Sequence, residues 1–310
     1  MAAPVNGWLV IDKPLGLGST QVVSAVKRAL RSGGYPKVKV GHGGTLDPLA
    51  TGVLPIALGE ATKLAGRMLD ADKVYDFTIA FGAATDTIDL EGQIVATSAI
   101  RPTLSDLHAV LPQFTGPITQ VPPAYSAIKI DGERAYARAR AGETFVIETR
   151  AVTIHHLAIV GSASLSDGPR DAVTLTARVS KGTYIRSLAR DIAAALGTVG
   201  HVTMLRRTRA GPFTLDAAIS LDKLADMGQE RAVHIALLPL TAGLDDIPAF
   251  PVTPDQAGAL RQGRKLIGIA VSPGLHLAVD AGTPVALVES DGADIRVVRG
   301  FNVPDVEDDT

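Results

Sequence analysis

The chain has 310 residues, with 30 lysines and arginines against 32 aspartates and glutamates, for a formal net charge of -2. Hydrophobic residues make up 46% of it, which predicts a packed globular protein of about two domains and argues against disorder. The absence of cysteine excludes disulfide frameworks, thiolate metal sites and cysteine nucleophiles. We see neither a membrane-spanning apolar stretch nor a basic, apolar leader, so we expect a cytoplasmic protein that does not enter membranes.

The N-terminal part alternates between apolar runs and glycine-rich turns. Residues 7–11 are an apolar run that predicts a buried strand. The serine or threonine at 19–20 is expected to cap a helix that ends at the glycines 33–34. Residues 37–40 alternate like a strand and lead into residues 41–48, whose glycines and proline predict a loop.

Strands and helices are mixed in the middle of the chain. Residues 75–81 and 173–179 alternate apolar and polar side chains, which predicts strands. Residues 185–196 predict a helix closed by Gly197, and residues 201–206 predict another strand. Because these elements follow no strict βαβα order, we predict an α+β fold with a mixed sheet.

The composition changes near residue 246, where prolines and aspartates predict a linker. We therefore place one domain at residues 1–246 and a second at residues 247–310. In the second, Thr253-Pro254-Asp255-Gln256 is a capping box with proline at the first helical position. Four short strand candidates separated by Gly and Asp turns follow, and they predict a small β-barrel-like module.

Common nucleotide-binding and hydrolase motifs are missing. Gly41-His42-Gly43 begins like a dinucleotide fingerprint, but Leu46 stands where its third glycine is required. Neither a Walker Gly-Lys-Ser/Thr nor a Gly-x-Ser-x-Gly nucleophile elbow occurs. The histidines form no metal-binding motif, so we expect no metal.

Residues 41–55 are the remaining candidate site. This glycine-rich loop presents one imidazole, His42, and one carboxylate, Asp47, at a strand end, where catalytic residues often lie. From spacing alone, Asp-Pro at 47–48 is more typical of an ordinary turn. If the loop is catalytic, Asp47 could be a covalent nucleophile or a general base, and the pattern leaves both open.

Five segments between residues 11 and 207 form an ordered set of motifs. They are Ile-Asp-Lys-Pro-Leu-Gly at 11–16, the loop at 41–55, Val-Pro-Pro-Ala-Tyr-Ser-Ala-Ile-Lys at 121–129, Ser-Lys-Gly-Thr-Tyr-Ile-Arg at 180–186 and Leu-Arg-Arg at 205–207. The set resembles the motifs of the bacterial tRNA pseudouridine-55 synthases of the TruB family. The resemblance implies a pseudouridine-synthase-type mixed β-sheet flanked by helices, and the C-terminal module resembles the family's PUA-like domain.

The resemblance also implies an activity. The enzyme would isomerise uridine 55 in the T loop of tRNA, breaking the bond from the sugar to N1 and rejoining the sugar to C5, without a cofactor or a metal. Because a uridine in a folded loop is stacked, the enzyme must flip it into a pocket. The catalytic carboxylate of the family is described as attacking the pyrimidine ring, attacking C1′, or deprotonating C2′ by way of a glycal. The sequence leaves these routes open.

Residue roles follow from the resemblance as well. Asp47 falls on the family's catalytic aspartate, taken here as the nucleophile, and Arg186 on the arginine that pairs with this carboxylate and orients it. Tyr75, Tyr184 and Leu205 fall on positions that line the base pocket, with Tyr75 expected to stack on the base. From the local pattern alone, Tyr75 would be assigned to the core, because it shares a strand face with apolar residues.

The expected RNA contacts lie around this pocket. His42 falls on a histidine that contacts the flipped-out region of the T loop, and an imidazole can stack on a base or contact phosphate. Residues 120–150 correspond to a mobile insertion that clamps the T arm. Candidate contacts to the RNA backbone are Lys13, Lys129, Arg134, Arg138, Lys181, Arg206 and Arg207. The expected partner is the T arm of tRNA, and we expect a monomer without an obligate protein partner.

Three alternative functions were weighed against this one. A non-catalytic RNA-binding or tRNA-folding protein would use the same groove but would not need the carboxylate of Asp47 beside phosphates. A small-molecule enzyme with Asp47 and His42 as an acid–base pair is compatible with the loop alone. A relative that acts within a guide-RNA complex is disfavoured by the central insertion and the C-terminal module.

The net charge of -2 hides an uneven distribution. Residues 178–209 contain seven basic residues and one acidic residue, and residues 20–39 contain five basic residues and no acidic one. Residues 247–310, in contrast, contain five basic and nine acidic residues. Basic groups thus cluster near the motifs, where a phosphate backbone requires them. We therefore expect the catalytic domain to carry most of the tRNA recognition.

Overall fold

The computed structural model of the chain describes residues 5–161 and 167–303. These residues form the strands β1 Gly7–Lys13, β2 Val40–His42, β3 Ala50–Leu58, β4 Lys73–Phe81, β5 Ala83–Thr85, β6 Ile94–Thr97, β7 Gly116–Gln120, β8 Lys129–Ile130, β9 Glu133–Arg134, β10 Arg150–Ile159, β11 Ala172–Val179, β12 Gly200–Ala210, β13 Phe213–Thr214, β14 Ala218–Ile219, β15 Ala249–Pro251, β16 Leu266–Ile267, β17 Gly274–Asp280, β18 Thr283–Ser290 and β19 Asp294–Gly300. The α-helices are α1 Ser19–Ser32, α2 Ala65–Asp70, α3 Leu104–Val110, α4 Ala135–Arg140, α5 Ile185–Ala195, α6 Leu221–Gln229 and α7 Pro254–Arg261.

A ten-stranded mixed sheet forms the body of the protein. Its main order is β14-β1-β3-β12-β4-β11-β10-β7, with β2 paired to β3 and β13 paired to β12. The pair β12–β3 is parallel, whereas β1–β3, β12–β4 and β4–β11 are antiparallel. The predicted α+β class, a mixed sheet flanked by helices, is therefore confirmed.

The two faces of the sheet are covered differently. Side chains alternate along β1, so Leu9 and Ile11 pack with α1 and α6, while Trp8 and Val10 point to the opposite face. On the same face as α1, helices α3 and α5 cover β4 and β11. On the Trp8 face, Leu277 and Leu287 of the C-terminal sheet, with Phe301 directly after it, join the shared core. The helices of the first face approach the loop that carries Asp47.

Most predicted elements of this body are confirmed, with two differences near the candidate site. The start of α1 is capped by Gly18, whose backbone N–H donates to the Gln21 side chain at 2.7 Å, and not by Ser19 or Thr20. The Ser19 hydroxyl is instead bonded to another segment, described below. The strand predicted at residues 37–40 is also shifted, because β2 spans Val40–His42.

The C-terminal residues form a five-stranded sheet of order β15-β17-β18-β19-β16. The described pairings do not join its two short edge strands, so the predicted β-barrel-like module is present as an open, half-barrel sheet. Strand β15 lies within the predicted linker. The capping box at the start of α7 is confirmed, since Thr253 and Gln256 each accept a backbone N–H of the other. The PUA-like identity and the domain boundary at 246/247 stay predictions.

The length and hydropathy of the helices bear on whether any of them could span a bilayer. Within residues 5–161 and 167–303, none is long and apolar enough to cross a membrane.

Candidate active site

Asp47 lies in the loop between β2 and β3. Gly43 N–H donates to Pro55 O at 2.8 Å and Ala50 N–H donates to Asp47 O at 3.0 Å, so the loop folds back on the following strand. A Cβ atom on residue 43 would lie 2.8 Å from the Met68 side chain, which is shorter than a normal van der Waals contact. Any residue other than glycine at this position would therefore require the backbone or Met68 to shift. Gly43 therefore lets the loop pack closely against α2.

Arg207, a buried residue of β12, fixes the first half of this loop. Its side chain is 1% exposed, and its guanidinium donates to the carbonyls of Gly44 at 3.1 Å and Thr45 at 3.3 Å. A third bond runs from Nε to Val53 O at 2.7 Å. Because a buried guanidinium needs all its donors satisfied, these bonds hold the loop backbone against β3 and β12.

Ser19 and Lys13 fix the residues on either side of Asp47. The Ser19 hydroxyl accepts from Leu46 N–H at 2.8 Å and donates to Leu46 O at 3.1 Å. The buried Lys13 ammonium donates to Pro48 O at 3.2 Å, as well as to two carbonyls of its own turn. Burial lowers the pKa of Lys13 to about 8, against the opposing effect of the Asp47 charge. The backbone is thus bonded immediately before and after the carboxylate.

The Asp47 carboxylate meets a buried cation. Arg186 Nη2 lies 2.9 Å from Asp47 Oδ2, and Arg186 Nη1 lies 3.4 Å from Asp89 Oδ2. The same guanidinium donates to the carbonyls of Thr87 at 2.9 Å and Tyr125 at 3.0 Å. The side chain of Arg186 is 7% exposed, whereas that of Asp47 is 43% exposed. One face of the carboxylate is therefore held by the arginine, and the other remains open to a ligand.

A cavity of about 350 Å³ lies over this pair. Its walls include five of the residues predicted for the catalytic and base-binding site, Asp47, Arg186, Tyr75, Tyr184 and Leu205. The size is within the range of small-molecule sites in proteins. The structure thus brings these five residues together around one space.

Strand register places two of the cavity residues. Tyr75 on β4 pairs with Arg207 on β12, and Leu205 on β12 pairs with Phe77. Phe77 is fully buried, whereas Tyr75 and Leu205 are half-buried and pack at the edge of the core. Tyr75 therefore combines the core position indicated by its pattern with a surface in the cavity.

Tyr184 stands at the start of α5, two residues before Arg186. Its backbone N–H donates to Gln120 Oε1 at 3.1 Å, and Gln120 Nε2 donates back to Tyr184 O at 3.4 Å. The Arg150 guanidinium lies 5.5 Å from the centre of the Tyr184 ring. Gln120 is fully buried, so this pair of bonds ties β7 to the helix that carries Arg186.

His42 is separate from the cavity wall. It is the last residue of β2, half-buried, and its buried Nδ1 has no hydrogen-bond partner within the described residues. Burial lowers the pKa of His42, and the charge of Arg207 acts in the same direction. The neutral imidazole is thus favoured at neutral pH.

The predicted RNA-backbone contacts fall into two groups, and the first requires a correction. Lys13 and Arg207 are 0% and 1% exposed, and their cationic groups donate to backbone carbonyls. A phosphate cannot reach groups that are enclosed in this way. Both residues are therefore removed from the backbone-contact set, and their role in the structure is to hold the Asp47 loop.

The second group is accessible but mostly paired. Arg206 forms a two-pronged ion pair with Asp12 at 2.8 and 3.1 Å. Lys181 pairs with Asp70 at 3.0 Å, and Arg138 lies 2.8 Å from Glu143. Within the predicted insertion, the Arg134 guanidinium donates to Ala127 O. Lys129 is exposed, and its ammonium group is bonded to no other described residue.

Sequence reasoning missed two buried charged groups. Lys73, in the cavity wall, donates to the carbonyls of Met68, Leu69 and Ala71 at 2.9, 2.7 and 2.6 Å, and burial lowers its pKa to about 8. Strand alternation could have indicated Lys73, since it is two residues from Tyr75 on the same face. Asp89 lies in a turn after β5, and nothing in its local pattern points to Arg186.

The donor set of the site is suited to acid–base or nucleophilic chemistry. Within residues 5–161 and 167–303, no group of three or more His, Asp or Glu side chains is placed to hold a metal ion. The cavity instead offers one accessible carboxylate, an arginine behind it, and two tyrosines that can pack on a planar ring. The arrangement can hold a flat heterocycle and present a carboxylate to it.

Comparison with known proteins shows which family the chain resembles. The profile described as TruB family pseudouridylate synthase (N terminal domain) matches residues 30–185, and that described as tRNA pseudouridylate synthase B C-terminal domain matches residues 186–245. A tRNA pseudouridine synthase B from Novosphingobium aromaticivorans is 63% identical over 97% of this chain and 99% of its own. One from Zymomonas mobilis is 60% identical over 96% of each chain.

Solved structures share the fold. The matching chain of a Cbf5-Nop10-Gar1 complex has a TM-score of 0.70 at 27% identity, covering 95% of this chain and 84% of that one. An archaeal box H/ACA sRNP Nop10-Cbf5 complex contains a chain with a TM-score of 0.69 at 24% identity. Together with the profile matches and the two relatives of 63% and 60% identity, these findings establish that the chain belongs to the TruB family of pseudouridylate synthases.

Proposed function

We propose that this enzyme converts uridine 55 in the T loop of tRNA to pseudouridine. The observation that carries the proposal is the Asp47–Arg186 contact at 2.9 Å, in a cavity that two tyrosines also line. Relatives of 63% and 60% identity over nearly the whole chain carry the name tRNA pseudouridine synthase B. An accessible carboxylate in a base-sized cavity is what such a reaction requires.

The uridine enters the cavity by flipping out of the T loop. Unstacking a base costs a few kcal/mol, which contacts inside the pocket must offset. Tyr75 offers a ring for stacking, and Tyr184 and Leu205 close the sides of the base site. His42, on the strand that leads into the loop, contacts the region from which the base is flipped, and its neutral imidazole can stack without proton transfer.

The reaction exchanges one bond of the sugar for another. The C1′–N1 bond breaks, a C1′–C5 bond forms, C5 loses its proton and N1 gains one, so the product is an isomer of the substrate. Asp47 supplies the catalytic carboxylate that meets the nucleotide, and Arg186 orients it from the protein side. Attack on the ring, attack on C1′ and deprotonation at C2′ all begin from this carboxylate position.

The residues at 120–150 connect RNA binding to the cavity. Ser126, Ala127 and Ile128 line it, and the strands β8 and β9 follow directly. An RNA held by this insertion would therefore press on the wall of the base site, and Lys129, Arg134 and Arg140 are exposed cations of the insertion. The monomeric state, the cytoplasmic location and the clamping role of the insertion stay predictions.

Release of tritium tests the proposal directly. A T-arm hairpin carrying 5-³H-uridine at the target position is incubated with the enzyme, and release of tritium to water reports loss of the C5 proton. We expect stoichiometric release from this hairpin, and none from a hairpin with cytidine at the target and labelled uridine elsewhere. Tight binding of the hairpin without release would favour the non-catalytic tRNA binder and contradict the proposal.

A further inference from the structure

A second concave surface lies beside the active site, and its lining contains none of the residues assigned to the reaction. We call it the α1–β2 groove; it is about 790 Å³ in volume and lies between α1, the segment that leads into β2, and the start of α2. The lining residues used below are Lys27, Arg31, Lys37, Lys39, Gly41 and Ala65.

The charge of the groove is of one sign. Lys27 and Arg31 are one turn apart on α1, and Lys37 and Lys39 follow before β2; all four are exposed. No acidic residue is among those that line the groove, and none of the four charged side-chain groups has a hydrogen bond or ion pair to another described residue. This sets them apart from Arg206, Lys181 and Arg138, which are each paired with a carboxylate.

The groove lies next to the active-site cavity, because two segments of the chain contribute residues to both linings. Gly41 lines the groove and Gly44 lines the cavity, so at most about 10 Å of chain separates them. On the α2 side, Ala65 lines the groove and Leu69 lines the cavity, which is about 6 Å along a helix. A polymer with one unit in the cavity would therefore reach the groove with its neighbouring units.

We propose that the α1–β2 groove binds the phosphate backbone of the tRNA next to the flipped uridine. Four exposed cations without a competing acid match a polyanion, because neutralising phosphates releases condensed counterions and gives affinity without base specificity. The identity of the polyanion as tRNA rests on the proposed function, since it is the RNA whose base would occupy the cavity. The basic residues of 20–39 thus contribute to affinity, and the buried cations around the Asp47 loop contribute to chemistry.

The test compares two double variants with the same change in charge. Lys27→Gln/Arg31→Gln removes two cations from the groove. The matched control, Arg28→Gln/Lys223→Gln, removes two exposed cations that do not line it, one from α1 and one from α6. Binding of an unmodified full-length tRNA transcript is measured between 0.05 and 0.3 M salt, with Asp47→Asn in each protein to prevent turnover.

We expect the groove variant to bind tRNA roughly tenfold more weakly at about 0.1 M salt, with the slope of log Kd against log salt reduced by about two. The control should stay within about twofold of the parent, with an unchanged slope. Equal affinities and slopes for the two variants would overturn the proposal, whatever other anion the groove accepts. The outcome is separable from the proposed function, because binding is read without turnover and tritium release is read with Asp47 intact.

Discussion

The cations of this protein behave differently in two neighbouring regions. Around the Asp47 loop they are internal: Lys13, Arg186 and Arg207 are all buried, and each donates to backbone carbonyls of the loop or of a segment beside it. In the α1–β2 groove the cations, such as Lys27 and Arg31, are exposed, and their charged side-chain groups are bonded to no other described residue.

This difference separates two tasks that a basic sequence motif does not distinguish. Buried cations with satisfied donors define where a carboxylate stands, and placing a reacting group within a fraction of an ångström affects rate. Exposed cations without partners attract phosphates, which affects affinity and its dependence on salt. The predictions that follow test the internal set first, in order of decreasing effect.

The largest effect is expected for Asp47→Asn. The variant keeps the shape of the side chain but loses the carboxylate that meets the nucleotide, so single-turnover pseudouridine formation should fall by at least roughly 10⁴-fold. Affinity for tRNA should stay within a few-fold of wild type. The matched control, Asp70→Asn, removes a carboxylate from an exposed ion pair with Lys181 and should keep wild-type turnover. Normal turnover of Asp47→Asn would show that the nucleophile is another group.

A smaller loss of rate is expected for Arg186→Ala. Two carboxylates, Asp47 and Asp89, lose their cation, so turnover should fall by on the order of 10³-fold while the Kd for tRNA changes little. The control is Arg190→Ala on the same helix, whose half-exposed guanidinium pairs with the adjacent Asp191. Weaker tRNA binding at a normal single-turnover rate would contradict an orienting role for Arg186.

Ser19→Ala should have an intermediate effect. Both polar groups of the Leu46 backbone lose their partner, which should cost about 1–3 kcal/mol of stability and lower the single-turnover rate roughly tenfold by loosening Asp47. Ser24→Ala is the matched control, because that hydroxyl donates only within α1. Ser19→Thr keeps a hydroxyl and should recover part of the rate. A loss of stability without a loss of rate would limit Ser19 to a structural role.

The smallest effect concerns pH and His42. Because the folded-state pKa of His42 lies below its ordinary value of 6.5, the unfolded chain binds the proton more readily. Stability should therefore decline as the pH falls below 6.5 and the imidazole is forced to charge. His42→Gln should show a flatter decline of Tm between pH 7.5 and 5.5 than wild type. The exposed His156→Gln is the control, and identical slopes for all three proteins would contradict the assignment.

Local patterns in the sequence predicted many of the elements well. The alternation of residues 75–81 and 173–179 predicted β4 and β11, and Gly197, with a φ of +71°, ends the helix predicted at 185–196. These elements depend on interactions between near neighbours and on burial of one face, both of which a sequence displays. The capping box at Thr253 is a further example of such a local signal.

Pairings between distant segments could not be predicted from local pattern. Ser19 or Thr20 was expected to cap α1, but the Ser19 hydroxyl is bonded to the Leu46 backbone, 27 residues away, and Gly18 is the N-cap. Arg207 and Lys13 were expected to meet phosphates because basic residues cluster near the motifs. Both are buried because β12, β3 and β1 lie side by side in the sheet. This pairing joins segments that are far apart in the sequence, so no short segment predicts it. The open C-terminal sheet likewise depends on which edge strands find each other.

The separation of rate from affinity is tested by one set of single-turnover curves against tRNA concentration. Each curve yields a plateau rate and a half-saturating concentration, here for Ser19→Ala and for Lys27→Gln/Arg31→Gln. We predict that Ser19→Ala lowers the plateau roughly tenfold with an unchanged midpoint, and that the groove variant raises the midpoint roughly tenfold with a plateau near wild type. If both variants changed the same parameter, the division between internal bonds that position Asp47 for chemistry and exposed cations that bind tRNA would be contradicted.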